Sequence, residues 1–159
     1  MTEQTKRPWL DPASVTPRTG SNYPKPFDAS LEGRAKRALG DPLGLTQFGV
    51  NLVTLAPGSW SSQRHWHAEE DEFVYVLEGE VTLVTDAGEQ VIGPGMAAGF
   101  PAGRPDGHHL INRSDGPVLY LEVGTRAKTE EAQYSDIDMM ARKETGRFVF
   151  MRKNGEPYG

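Results

Sequence analysis

The sequence predicts an all-β fold, an antiparallel sandwich or barrel, on three observations. Eighteen glycines and 12 prolines in 159 residues imply many tight turns. Strand-like apolar runs recur at short, regular spacing along the middle of the chain. Only one segment has helical character, and no helices alternate with the strands as a parallel sheet would require.

Residues 1–28 hold Pro8, Pro12, Pro17, Pro24 and Pro26 without an apolar period, and read as an extended arm of the kind that packs on a partner subunit. Ser30 to Leu39, with a capping serine, apolar Leu31, Ala35, Ala38 and Leu39 and a stop at Gly40, reads as one short helix whose Arg34, Lys36 and Arg37 face solvent in preference to contacting a phosphate or nucleic acid. Strand runs follow at Gln47 to Leu55, Trp60 to His67, Glu72 to Leu77, Glu80 to Thr85, Glu89 to Ile92, Met96 to Phe100, His108 to Asn112 and Val118 to Val123. After Thr125 the chain turns polar, then ends in Phe148, Val149 and Phe150 and a GEPYG tail, which reads as peripheral packing. The expected division is an arm with the short helix over 1–44, a barrel over 45–125 and a C-terminal extension packed on the barrel over 126–159.

The charge balance, 17 Lys plus Arg against 22 Asp plus Glu, leaves no broad basic field, so nucleic acid is not an expected partner. Without cysteine, the chain has no disulfide, thiolate ligand or cysteine nucleophile, and any metal takes nitrogen and oxygen ligands. The polar N-terminus lacks a secretory apolar stretch and no run approaches the roughly 20 apolar residues that span a bilayer. The expectation is therefore a cytoplasmic protein without a membrane partner.

Chemistry concentrates in QRHWHAEEDEF. Residues two apart on a strand face the same side, so His65 and His67 enter one cavity while Arg64 and Trp66 point away. Five residues beyond His67, Glu72 opens the next strand, and the intervening acidic turn returns its carboxylate to the imidazoles. A register slip would put Asp71 or Glu70 there instead. In HHLIN, His108 shares a face with Leu110 and Asn112, and His109 with Ile111, so one of the two histidines faces inward. Imidazoles with a carboxylate suit iron, manganese, nickel, copper or zinc. A lone histidine is usually a surface or core residue; the joint spacing is what points to a metal.

These residues resemble the cupin superfamily, and in particular its small bacterial single-domain members. The first motif runs as Gly58, His65, Trp66, His67, Glu72 and Gly79, with Gly58 one residue further upstream than usual. The second runs as Gly95, Pro101, Gly103, His108 and Asn112, with two extra residues between Gly103 and His108 and with Met96 where many members carry an acid. The resemblance covers about residues 45–125. It implies an antiparallel double-stranded jelly-roll barrel (a cupin fold), a divalent cation (Fe, Mn, Ni or Zn) on His65, His67, Glu72 and His108, and a homodimer. The kept spacing from His108 to Asn112 selects His108 over His109.

Three imidazoles and one carboxylate in an octahedral field leave two positions open for a small-molecule ligand. The function expected is a metalloenzyme acting on a small polar metabolite, of isomerase or dioxygenase type. The alternative is a non-catalytic binding or sensing barrel. Tyr120 and Glu122 share one face of the last strand, and Gln63 and Ser61 share the parity of His65. Glu122, Tyr120 and Gln63 are therefore the candidate catalytic side chains. Arg104 and Arg113 lie near the second motif and could fix an anion. Trp60, Phe73, Tyr75 and Phe100 are core, interface or pocket.

Overall fold

A computed structural model describes residues 7–158, so the first six residues of the arm lie outside the described part. Among the described residues there are thirteen strands, in the order β1 (Arg18–Thr19), β2 (Arg34–Ala38), β3 (Phe48–Leu55), β4 (His65–His67), β5 (Glu72–Glu78), β6 (Val81–Thr85), β7 (Gly88–Ile92), β8 (Ala97–Phe100), β9 (His109–Ile111), β10 (Val118–Thr125), β11 (Glu131–Tyr134), β12 (Met140–Glu144) and β13 (Arg147–Met151). The eight strand runs read from the sequence all carry strand, within a few residues at their ends. The exception is Trp60 to His67, where only β4 and an isolated bridge at Trp60 are paired.

One wall is a six-stranded sheet ordered β1-β2-β3-β10-β5-β8. The other is formed by β7-β6-β9 and β13-β12-β11-β4, joined where His65 bridges His108. Every strand pairing within the sheets is antiparallel. Side chains of period two face inward from both walls: Val53, Leu55, Val74, Val76, Val118 and Tyr120 from the first meet Val81, Ile92 and Leu110 from the second. The result is a jelly-roll sandwich, whose facing sheets bury a single seam of β-branched and aromatic side chains.

The short helix expected over Ser30 to Leu39 is not there. A 3-10 turn at Ala29–Leu31 is followed directly by β2. Helix-forming Ala, Lys and Arg are overruled because Arg34 to Ala38 find a full ladder against β3, with Lys36 opposite Val53. Gly33 marks the change of direction: a Cβ there would meet the Ser59 hydroxyl at 2.0 Å and the Ala56 methyl at 3.0 Å. The basic residues are not a solvated helix face. Arg34 and Lys36 point into the molecule, while Arg37 donates to the Val15 carbonyl of the arm at 3.1 Å.

The segment after Thr125, read as peripheral, supplies three strands. β11 pairs with β4, placing Ala132 opposite His67 and Tyr134 opposite His65. A second core of Ala132, Tyr134, Met139 and Ala141 packs against Tyr23 and Phe27 of the arm and against Phe150 and Tyr158. From Arg18 onward the arm therefore returns onto its own chain, through the β1–β2 pairing and through edge-to-face contacts of Tyr23 with Tyr134 and Phe150. No helix among the described residues is long and apolar enough to cross a membrane.

Candidate metal centre

The centre begins with strand parity. On β4, His65 and His67 face inward, and their Nε2 atoms lie 3.1 Å apart. Arg64 faces the opposite way, as expected: it ties Asp136 (2.9 Å), Asp86 and the Gly107 carbonyl (3.1 Å) together across the outer surface. Glu72, the first residue of β5, brings Oε1 to 3.0 Å from His67 Nε2 and 3.7 Å from His65 Nε2. Its Oε2 is in short contact with His108 Nε2. All three histidines thus direct Nε2 at one carboxylate, and Glu72 is the acid that the fold brings there. Asp71 instead caps the Ala102 N–H, and Glu70 pairs with Lys143 at 2.9 Å.

His108 and His109 part as the strand alternation requires. The His108 ring lies stacked on Phe100, 3.5 Å between centroids, with Nε2 at the cluster. His109 points the other way, edge-on to Trp60, with Nδ1 2.9 Å from the Ser62 carbonyl. Asn112, the last residue of the second motif, is fully buried and structural: its amide donates to the Leu55 and Gly116 carbonyls and its oxygen accepts from Ser114.

The electrostatics follow from this crowding. Burial alone would raise the Glu72 carboxyl, yet hydrogen bonds from His108, His65 and His67 outweigh it and hold the group well below the usual carboxylate range. For His67, burial opposes the charged ring, but the Glu72 contact and the charges of Glu72, Glu130 and Glu70 raise its pKa above the ordinary value. Burial wins at His108, whose pKa is lowered despite Glu72. His65 Nδ1 donates to the Gln63 carbonyl at 2.7 Å, which turns Nε2 toward the cluster. The Nδ1 atoms of His67 and His108 are buried without a hydrogen-bond partner.

This donor set fits a divalent cation. The ligand atoms of His65, His67 and Glu72 all lie within 4.8 Å of one another, and His108 Nε2 touches the same carboxylate. Two imidazole Nε2 atoms 3.1 Å apart need a proton or a cation between them, because two facing lone pairs would repel. Three nitrogens and one oxygen suit iron, manganese, nickel or zinc.

The cluster forms one end of a cavity of about 280 Å³. Its wall includes Arg34 and Lys36 of β2, Ser61, Ser62, Tyr120 and Glu122, with Tyr134 and Phe150 from the C-terminal strands. Tyr120 and Glu122 thus lie on the inner face of β10. Glu122 is held by Lys36 at 3.0 Å and by the Asn51 amide at 3.2 Å. The Tyr120 hydroxyl is completely buried without a partner, and burial, reinforced by the Glu122 charge, pushes its pKa well above the ordinary tyrosine value. Gln63 is not a cavity residue: its buried side-chain amide donates to the Phe27 carbonyl at 2.9 Å, and only its main chain serves the site. Arg113 lies outside, paired with Glu89, and Arg104 lines a second recess beside Trp66 and Asp106 that shares His67, Phe100 and His108 with the first.

Sequence reading put Arg34 on the solvated face of a helix in preference to an anion contact. Its guanidinium donates to the Ser61 carbonyl at 2.6 Å and the Gly20 carbonyl at 2.8 Å and has no carboxylate partner among the described residues. Period-two alternation through Arg34, Lys36 and Ala38 was the available signal, hidden by the helical composition.

Comparison with known proteins agrees with this fold. A cupin domain model matches residues 51–124. The crystal structure of a sugar phosphate isomerase from a cupin superfamily of Silicibacter pomeroyi is 52% identical, superimposes with a TM-score of 0.92, and pairs 96% of this chain with 97% of that one. A protein of Acidithiobacillus ferrooxidans, assigned provisionally as a sugar phosphate isomerase, is 29% identical with a TM-score of 0.71 over 76% of this chain and 77% of its own. The polyketide cyclase RemF of Streptomyces resistomycificus is 25% identical with a TM-score of 0.61 over 74% and 78%. Among curated protein sequences none matches.

Proposed function

The chain belongs to the cupin superfamily, and from that premise we propose that it is a metal-dependent isomerase of a small sugar phosphate, with His65, His67, Glu72 and His108 as the metal ligands. The observation that carries this reading is the meeting, in one cavity, of an N₃O donor cluster, a cation without a carboxylate partner and a lysine-bound carboxylate. The 52% identity to a sugar phosphate isomerase of Silicibacter pomeroyi supports the substrate class. RemF shares the fold with a different activity, so the assignment rests on the site rather than on the barrel.

Each group has a task. A bound divalent cation would supply Lewis-acid polarisation of a substrate carbonyl. Arg34 binds the phosphate: its planar fork matches phosphate oxygens, and its charge is otherwise uncompensated by an ion pair. Glu122 is the proton-transfer group. Its Oε1 is fixed by Lys36 and Asn51, while Oε2, 3.4 Å from Lys36, is the freer oxygen that takes a proton from the hydroxyl-bearing carbon next to the carbonyl and returns it to the former carbonyl carbon, as the hydroxyl proton passes to the former carbonyl oxygen. Tyr120 stays protonated, because its burial opposes ionisation, and contributes to the cavity wall. Phe100 and Phe150 exclude water from the inner end. Lys36, Glu72 and Glu122 also border a wider, open groove of about 990 Å³, which gives the substrate a way in.

The test is elemental analysis of untagged protein purified without added metal, beside His65→Ala/His67→Ala, followed by incubation with aldose and ketose phosphates in deuterated water. Near-stoichiometric metal in the parent alone, with deuterium washed into the carbon next to the carbonyl, is the expected result. Metal in neither protein, even after reloading, overturns the metal centre; metal without exchange or turnover leaves a binding or sensing barrel. The family further suggests a homodimer, which sedimentation at micromolar concentration checks.

A further inference from the structure

We propose that Glu130, the residue preceding β11, is a positioning residue for His67, so that the C-terminal extension is part of the metal centre. The inference rests on the reading of His67 as a ligand.

The Glu130 side chain is 0% exposed. It accepts from the backbone N–H groups of Ala68 (2.8 Å), Glu69 (3.1 Å) and Glu131 (2.9 Å), and no lysine or arginine among the described residues pairs with it. Those three donors fix the carboxylate in place. Its Oε1 then lies 3.8 Å from His67 Nδ1, a buried nitrogen that has no hydrogen-bond partner. If Nε2 is to offer a lone pair to a cation, the proton must sit on Nδ1, and a buried N–H without an acceptor costs free energy. Glu130 is the carboxylate within 4 Å of that nitrogen, so a ring turned toward it as a cation takes Nε2 would gain an acceptor and lose that cost.

His65 has the same need, met differently: the Gln63 carbonyl accepts from its Nδ1 at 2.7 Å. A carboxylate does more than a carbonyl, since it adds a full negative charge behind the ring and makes Nε2 the stronger donor. With Glu72 it brings two negative charges to a divalent cation. The neighbouring Glu70 also lies within reach of His67 and Glu130, but its charge is taken up by Lys143 at 2.9 Å and its Oε2 accepts the Ala127 N–H. That leaves Glu130 as the uncompensated carboxylate behind the ligand. Glu130 also falls outside residues 51–124, so the motif-bearing part of the barrel does not contain it.

The experiment titrates the full chain with Mn²⁺ alone, in competition with a chelator, for the parent, Glu130→Gln and the double variant Glu70→Gln/Lys143→Met. Glu130→Gln is expected to weaken Mn²⁺ binding about 10- to 100-fold. Glu70→Gln/Lys143→Met removes the neighbouring ion pair as a unit and leaves no unpaired charge beside His67; it is expected to lower the melting temperature and leave Mn²⁺ affinity alone. Equal loss of affinity in both, or none in Glu130→Gln, overturns the proposal, as does a stoichiometry of two cations per chain, which would make Glu130 a ligand. The unsubstituted protein loaded with Zn²⁺ gives a reading that survives failure of the variant to fold: ¹⁵N-resolved imidazole spectra are expected to place the His67 proton on Nδ1 in a strong hydrogen bond, and a proton on Nε2 overturns the idea. His65→Ala/His67→Ala separates the two layers. If it binds Mn²⁺ like the parent, the metal reading fails; if it does not and Glu130→Gln does, only the role of Glu130 falls.

Discussion

Two regions meet in the cavity and are built in different ways. The ligand cluster comes from β4, β5 and the residue before β9, short strands whose alternation points His65, His67, Glu72 and His108 inward and whose turns are set by motif glycines. The rim comes from the two ends of the chain: Arg34 and Lys36 on β2, Tyr134 on β11 and Phe150 on β13. The cluster is local, lying within 44 positions of sequence. The rim is assembled by pairings between segments about a hundred residues apart, such as Tyr23 on Tyr134. The strands that bring the His/Glu cluster together are thus separable in sequence from the rim of the cavity, an arrangement by which one fold can carry several activities.

The comparison breaks most severely if the rim proves dispensable. Tyr134 is almost completely buried; its ring meets Tyr23 edge-on at 5.6 Å and lies 5.6 Å from the His65 ring. Tyr134→Ala is expected to cost about 3–5 kcal/mol of unfolding free energy in a denaturant titration, and to weaken metal binding because His65 loses a neighbour. A variant as stable as the parent would mean that the extension merely rests on the barrel.

A smaller effect separates binding from metal chemistry. Arg34→Met keeps length and removes the charge, and loss of a charge-assisted contact of about 1.5–3 kcal/mol corresponds to a KM for a phosphorylated sugar raised roughly 10- to 100-fold. Metal content should not change. If metal content falls while KM holds, Arg34 belongs to the cluster rather than to the rim.

Titration sharpens the distinction from the other side. Glu72 has a depressed folded pKa, so its contribution to stability is complete above the ordinary carboxylate range and is lost as pH falls through the depressed value. His67 has a raised folded pKa, so its contribution is complete below the ordinary histidine range and is lost as pH rises through the raised value. The metal-free protein should therefore be steadied by the cluster mainly between those limits. A cation replaces the protons, so the stabilisation from added Mn²⁺ should grow as pH rises through the His67 titration. Melting temperatures with and without Mn²⁺ across the acid-to-neutral range would reveal it; an increment independent of pH would remove His67 from the ligand set.

The same division explains what the sequence disclosed. Strand parity placed His65 and His67 together, and alternation in HHLIN admitted one inward histidine, because both signals are local and period two is rigid. Motif spacing then selected His108. Arg34 and Glu130 were hidden for physical reasons. Ala, Lys and Arg favour a helix in isolation, and only the ladder with β3 overrides that preference. Glu130 sits in a polar stretch whose meaning depends on β11 pairing with β4, a contact across some sixty residues that no local pattern encodes. Gln63 shows the converse failure, since correct parity with His65 did not make its side chain a cavity group.

The least disruptive change provides the control. Arg113 stands beside the second motif and by sequence alone rivals Arg34 as an anion-binding residue, yet its side chain is 54% exposed and its partner Glu89 50% exposed. Exposed pairs of this kind contribute about 0–1 kcal/mol, since water screens the charges and two flexible side chains must be held in place. Arg113→Ala should therefore leave metal content and the KM for a sugar phosphate unchanged and shift the melting temperature only slightly. Set beside Arg34→Met, it asks whether nearness to the motif or orientation into the cavity governs anion binding. A KM raised by Arg113→Ala and not by Arg34→Met would place the phosphate at the outer edge of β9 and leave Arg34 as a strut between Ser61 and Gly20.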